Sequence, residues 1–158
     1  MTPVFGIDPG TVQSAYVVWD GQAKEILEKA TLPNDEFMDR FHRYPYLHPV
    51  GLEMVQNYGT PMGNDLIETI VFTGQIIWEC KLKGAQLVKL RRPKIKVAIC
   101  NDSKAKDGWI RQALIDRIGP VGTKLNPGPT YGVVAHEWQC LAAAVVCWDM
   151  LNGGKNYE

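Results

Sequence analysis

The sequence predicts an α/β fold: a mixed five-stranded sheet with helices packed on it. Three observations predict it. Segment 4–31 holds three short apolar runs separated by turn formers. Beyond it, short strand-like runs alternate with segments of helical period. Near the C-terminus, "CLAAAVVCW" (Cys140 to Trp148) is apolar nearly all round, the pattern of a buried helix.

In order, Val4–Ile7 and Ala15–Trp19 read as two strands joined through Gly10-Thr11 and Gln13-Ser14. Asp20-Gly21 is a strong hairpin dipeptide and leads to a third strand, Lys24–Thr31. Asn34 or Asp35 can cap a helix to about Tyr44, with Phe37 and Phe41 on one face. Pro45 and Pro49 bracket a loop, and "VGLEMV" (Val50–Val55) is the fourth strand. "NYGTPMGN" (Asn57–Asn64) is dense in turn formers. A long helix follows over about Asp65–Lys83, with Ile67, Ile70, Val71, Gly74, Ile77 and Trp78 on one side and Gly84 as its stop. Gln86–Leu90 is a short strand and Pro93–Ala98 a helical turn. Ser103 caps a helix over Lys104–Ile118, with Trp109, Ile110, Ala113 and Leu114 inward. A long Gly- and Pro-rich loop, Gly119–Gly132, suggests mobility or function. The last helix runs over about Val134–Leu151. The order is β-β-β-α-β-α-β-α-α.

A chain of 158 residues with 46% hydrophobic and 22% charged residues suits one soluble domain with its own core. We read 1–158 as that domain, with 152–158 a frayed tail. No run reaches the ~20 apolar residues that span a membrane. The best, Leu141–Leu151, is interrupted by Asp149. No signal peptide is expected, and the expected location is the cytoplasm. Cys80, Cys100, Cys140 and Cys147 have no metal spacing and read as free thiols.

Net charge is zero, but its distribution is uneven. From Lys81 to Lys124 there are 12 Lys/Arg and 3 Asp, a local charge of 12 − 3 = +9. Such asymmetry points to a polyanionic partner.

Two carboxylates stand out. Asp8 interrupts the first strand just before Pro9-Gly10, and Glu53 sits inside the fourth. A carboxylate in an apolar strand is costly unless something positive meets it. His136 and Glu137 begin the last helix. A mixed sheet can bring its first and fourth strands side by side, with a helix start beside their ends. Two carboxylates converging with a histidine suit a hard divalent cation such as Mg²⁺ or Mn²⁺. "DPGTVQS" also fits the D-x-G-T phosphate loop of actin-like ATPases and sugar kinases, whose two-domain site exceeds this length.

"FGIDPGT", "GLEMV", a late His-initiated helix continuing "LAAAV", and this length together resemble RuvC-type Holliday-junction resolvases. "EMVQNYGTPMGNDLIETIVFTGQ" and "NDSKAKDGWIRQALIDRIG" resemble the small phage and prophage branch. The resemblance covers nearly the whole chain. It implies an RNase-H-like fold, a homodimer and Mg²⁺-dependent phosphodiester cleavage, with Mn²⁺ as a substitute and two ions per site. It assigns Asp8, Glu53 and His136 to the metal site. Better-known members carry a further Asp three residues after that histidine; here Gln139 stands there. Asp107 is the first substitute acid and Glu137 the second, because a helix turns Glu137 about 100° from His136.

Arg91, Arg92, Lys94, Lys96, Lys104, Lys106 and Arg111 are candidates for phosphate contacts, and Gln56, Asn57 and Tyr58 for contacts at a junction centre. Tyr58 suits stacking on an unpaired base. The helix 65–83 has an apolar face wide enough for a core and a partner, and Gly74 allows close approach, so the dimer contact is expected there. The expected function is resolution of four-way DNA junctions by paired nicks. The alternatives are a general flap or fork endonuclease and a catalytically weakened junction-binding protein.

Overall fold

The computed structural model describes residues 2–44 and 48–153 of the protein. Its elements are β1 (Val4–Asp8), β2 (Gln13–Asp20), β3 (Glu25–Pro33), α1 (Asn34–Arg43), β4 (Val50–Met54), α2 (Asn64–Lys83), β5 (Leu87–Arg91), α3 (Arg92–Cys100), α4 (Asp107–Ile118) and α5 (Glu137–Asn152). The strands form one sheet in the order β3-β2-β1-β4-β5. β1, β2 and β3 pair antiparallel, whereas β1-β4 and β4-β5 are parallel. The expected mixed five-stranded sheet is therefore what forms. The Pro45–Pro49 loop lies partly, and the 152–158 tail mostly, outside the described residues.

Side chains alternate across this sheet, as pleating requires. On one face Phe5, Ile7, Tyr16, Val18, Val50 and Leu52 pack against Phe37 and Phe41 of α1 and Phe72 and Ile76 of α2. On the other, Val4, Ala15, Val17, Trp19 and Leu90 pack against α5 and the inner sides of α3 and α4. α5 lies directly on the central strands because they are cut away beneath it. A Cβ on Gly6 would stand 1.9 Å from the Cys140 carbonyl oxygen, and one on Gly51 2.7 Å from that of Ala143. Small residues on both sides let the helix backbone approach the sheet. Cys140, Ala142, Ala143, Ala144, Val145 and Cys147 are all fully buried, which explains the all-round apolar pattern.

Several expected details are corrected. In α2 the stripe Ile67, Ile70, Val71, Gly74 and Trp78 faces solvent, and only Ile77 of the expected set is half-buried. The buried stripe is Thr69, Phe72, Thr73, Ile76, Glu79 and Cys80. Its polar members are satisfied, the threonines by their own helix and Glu79 across to α1. Thr69 Oγ1 donates to the Asp65 carbonyl at 2.8 Å and Thr73 Oγ1 to the Thr69 carbonyl at 2.7 Å. Glu79 Oε1 lies 2.8 Å from His42 Nδ1. Hydrophobicity alone picked the wrong face because helical Thr can hide its hydroxyl in this way.

Pro93–Ala98 is part of a full helix, α3, so five helices form among the described residues. α4 starts at Asp107, three residues after the expected Lys104, without Ser103 as cap. Asp102 Oδ1 instead accepts from the Lys104 backbone N–H at 2.8 Å, making a turn there. The inward stripe of α4 is Ile110, Leu114 and Ile118, and Trp109 points out. α1 has no side-chain cap, and α5 begins at Glu137 with His136 as N-cap. β2 starts at Gln13 and β3 ends at Pro33, each two residues beyond its expected limit. The long loop is braced on itself by a Gly122–Pro127 bridge and a Thr130 hydroxyl bond to the Gly119 carbonyl. The four cysteines are free, and burial pushes the Cys147 thiol up to about 12.

Candidate active site

Parallel pairing of β1 with β4 matches Gly6 to Gly51 and Ile7 to Leu52. One residue beyond the last of these pairs stand Asp8 and Glu53, which line one cleft. Alternation points both carboxylates to the α5 face, at the C-terminal ends of their strands. The glycine seat beneath α5 brings its N-terminal end, His136, to the same place. His136 Nδ1 lies 3.0 Å from Asp8 Oδ2. Ala135, just before it, has a left-handed backbone (φ 44°), which sets the direction in which the chain enters the helix.

The loop after Asp8 is tied down. The Gly10 N–H donates to Ser14 Oγ at 3.0 Å, and Ser14 donates to Asn34 Oδ1 at 2.7 Å. The Asn34 amide donates to the carbonyls of Gly10 and Thr11. Asn34, expected as a helix cap, is a loop anchor instead. Thr11 Oγ1 lies 2.9 Å from Thr69 Oγ1, joining the loop to α2. A carboxylate on so braced a segment is held in place.

Arg92, the first residue of α3, stands over the end of β5 and bridges two acids. Nη1 is 3.0 Å from Glu53 Oε1 and Nη2 is 2.5 Å from Asp107 Oδ1. Asp107, at the start of α4, thereby joins the cluster. Asp8, Glu53 and Arg92 line one cleft with Gln56 and Tyr58. Arg92, Asp107, His136 and Gln139 line the adjoining one, with Arg111 and the Trp138 ring that it covers at 5.1 Å. Glu137 does not join them. Its Oε2 pairs with Lys29 Nζ at 2.9 Å and accepts from the Val134 N–H at 3.0 Å, serving its own helix start.

The cluster is electrostatically strained. Burial holds the Asp8 carboxyl above its ordinary range, against the pull of His136 and Arg92. Burial, and then the Asp8 charge, push Glu53 up to about 6 even with Arg92 beside it. Glu53 Oε2 is buried with no hydrogen-bond partner. Such an oxygen is costly unless a donor or cation meets it. Chemically, Asp8 and Glu53 supply hard oxygen donors suited to a divalent cation, with His136 and Asp107 at the rim. As they stand, no group of three or more His, Cys, Asp or Glu among the described residues is arranged to hold a metal ion. Asp8 is paired with His136, and one Glu53 oxygen is taken by Arg92.

The other sequence-derived candidates surround this cleft unevenly. Tyr58 is 71% exposed, with its hydroxyl 3.1 Å from Gln56 Oε1. Gln56 and Asn57 share a polar groove with Lys89 and Arg91. Lys89 was not among the expected contact residues; its place next to Arg91 on an edge strand is the signal that finds it. Lys104, Lys106 and Arg111 are exposed, and Lys94 and Lys96 half-buried. Arg92 is the exception: its guanidinium is engaged by carboxylates.

No family model matches the sequence, and no curated relative does. The strand order, the parallel β1-β4 pair carrying two acids, and α5 across them define an RNase-H-like fold. Within that class the chain has the fold of RuvC. It is similar to a RuvC structure from Thermus thermophilus (TM-score 0.63, 18% identity, 95% of this chain and 96% of that one). It is also similar to T. thermophilus RuvC in complex with a Holliday junction substrate (TM-score 0.66, 20% identity, 96% of each chain). A Fowlpox virus resolvase in a Holliday junction complex gives a TM-score of 0.46 at 14% identity, over 96% of this chain and 99% of that one.

Proposed function

We propose that this protein is a structure-selective endonuclease that resolves four-way DNA junctions by divalent-metal-dependent phosphodiester hydrolysis, giving paired nicks. One observation carries the reading. Asp8 and Glu53 share one cleft just past the last β1-β4 pair, with a Glu53 oxygen buried and unpartnered. The fold adds support, since a RuvC of the same fold was solved with a Holliday junction.

In this reading Asp8 and Glu53 hold Mg²⁺, or Mn²⁺ in its place, and His136 and Asp107 complete the rim. A divalent cation bound there supplies charge stabilisation at the phosphate and activation of water. Asp8 Oδ2, 3.0 Å from Nδ1, orients the largely exposed His136 ring at the rim of the site. Arg91 and Lys89 hold phosphates in the groove beside β4 and β5; Lys94, Lys96, Lys104, Lys106 and Arg111 do so around α3 and α4. Tyr58 stacks on an unpaired base at the junction centre, with Gln56 and Asn57 beside it.

Paired nicks need two sites, hence a homodimer. The solvent-facing stripe of α2, with Trp78 at 56% exposure, is the contact surface. A Cβ placed on Gly74, at its middle, would meet nothing within 4 Å, leaving room for a second helix. Among the described residues no helix is long and apolar enough to cross a membrane.

A second reading is a junction-binding protein weakened in catalysis. It is favoured by Gln139, buried where an acid was expected, and by the Arg92–Glu53 pair. Incubating a labelled immobile four-way junction, a fork and linear duplex with Mg²⁺, with Mn²⁺ or with chelator separates the readings. Symmetrical nicks on the junction only, requiring metal, are expected. Equal cutting of forks would shift the function to general branched-DNA processing. Tight junction binding without cutting in either metal would favour the binding protein.

A further inference from the structure

Three carboxylates, Asp8, Glu53 and Asp107, converge at the end of the sheet, and the permanent cation among them is Arg92. A guanidinium cannot lose its proton at any ordinary pH, so it offsets part of the cluster's negative charge without a metal. Its position is informative. Nη1 engages the one Glu53 oxygen that has a partner, within the cleft Asp8 shares. A hard cation bound to Asp8 and Glu53 would need Glu53 as a close ligand, at about 2.0–2.1 Å for Mg²⁺. A guanidinium on the same carboxylate repels that cation and restrains the carboxylate's rotation toward it. Arg92 also has somewhere to go. It begins a helix beside Pro93, its side chain is 28% exposed, and its second partner, Asp107, is 63% exposed.

Resting on the metal-dependent reading above, we infer that the Arg92 guanidinium is an exchangeable placeholder for the divalent cation: metal entry displaces it from Glu53. Arg92 offsets part of the acids' charge in the metal-free protein and sets a threshold on metal affinity. This accounts for two observations together. Among the described residues the acids form no closed ligand group, and one Glu53 oxygen remains without a partner while Arg92 holds the other. Once displaced, Arg92 can remain on Asp107 or turn to a phosphate, which its planar fork matches.

The test is Mn²⁺ binding to the full chain without DNA, followed by electron paramagnetic resonance of free Mn²⁺ and by the metal-induced rise in Tm. Arg92→Gln removes the charge and keeps a polar side chain at the position. We expect Arg92→Gln to bind Mn²⁺ at least tenfold more tightly than wild type. In chelator it should be less stable than wild type, and metal should restore it. Unchanged or weaker binding in the variant, with wild type binding normally, overturns the placeholder and leaves the metal site standing. Binding by neither protein overturns both. Binding by the variant alone supports displacement strongly. If Arg92→Gln does not fold in chelator, Arg92→Lys is the second variant. It keeps the charge but loses the two-pronged bridge, so a smaller tightening is expected and none would count against the proposal. In wild type, the Arg92 side-chain ¹⁵N signal should shift on adding diamagnetic Mg²⁺; a purely structural ion pair would leave it in place.

Discussion

Gly6 and Gly51 face each other across the parallel β1-β4 pair, and together they seat α5 on the sheet. The helix start that carries His136 reaches Asp8 because of that seat. A methyl at Gly6 meets the Cys140 carbonyl and Ala144, backbone and side chain together, so relief requires moving the helix. Gly6→Ala is therefore expected to lose about 1–3 kcal/mol or more, the usual range for an overpacked core. Gly51→Ala should lose somewhat less, since its nearest contact is 2.7 Å rather than 1.9 Å. Urea denaturation of both variants measures this. Equal stability to wild type would mean that α5 is not held where the site needs it.

The raised Glu53 value makes a signed statement about stability. An ordinary glutamate titrates at 4.5, whereas folded Glu53 does so at about 6. The folded state thus keeps its proton to higher pH than the unfolded chain. Its contribution is fully present below about 4.5 and is lost as pH rises through about 6, a loss of about 2 kcal/mol. Asp8 shifts in the same direction. In chelator, Glu53→Gln should abolish this part of the pH dependence and be about 1–2 kcal/mol more stable than wild type at pH 7.5. The readout is the difference between the two proteins at pH 4.5 and 7.5. A variant that is less stable at pH 7.5 would show that the Arg92 pair outweighs desolvation.

Much of the fold was legible because its signals are local. Turn formers delimit β1 to β3, Gly84 stops α2 in a left-handed cap, and the apolar run of α5 marks a helix buried on all sides. The convergence of Asp8, Glu53 and His136 was legible only through the order of elements and the family resemblance. Three things were not legible. The burial of Thr69 and Thr73 depends on hydroxyl bonds back to the helix, which hydropathy does not register. The left-handed Ala135 has no glycine to announce it. Arg92 reads as one more base in a basic run, and its role depends on β5 ending beside Glu53. Asp107 joins the site through that same arginine, 15 residues away.

The exposed stripe of α2 makes a prediction about assembly. Trp78→Glu places a charge among Ile67, Ile70, Val71 and Leu82, all more than two-fifths exposed in the single chain. Because the wild-type side chain is not in the core, the fold should survive within about 0.5 kcal/mol. Sedimentation should show a dimer in wild type and a monomer in the variant, with unchanged circular dichroism. A wild-type monomer at micromolar concentration would remove α2 as the contact and, with it, the basis for paired nicks.

The most direct measurement compares cutting with binding in Asp8→Asn and Glu53→Gln, using one labelled four-way junction for both assays. The account predicts that each variant loses cutting by at least a hundredfold in Mg²⁺. Both should bind the junction within a few-fold of wild type, since the phosphate-contacting bases lie elsewhere. Wild-type cutting by both correctly folded variants would contradict the central claim that this cleft carries the chemistry.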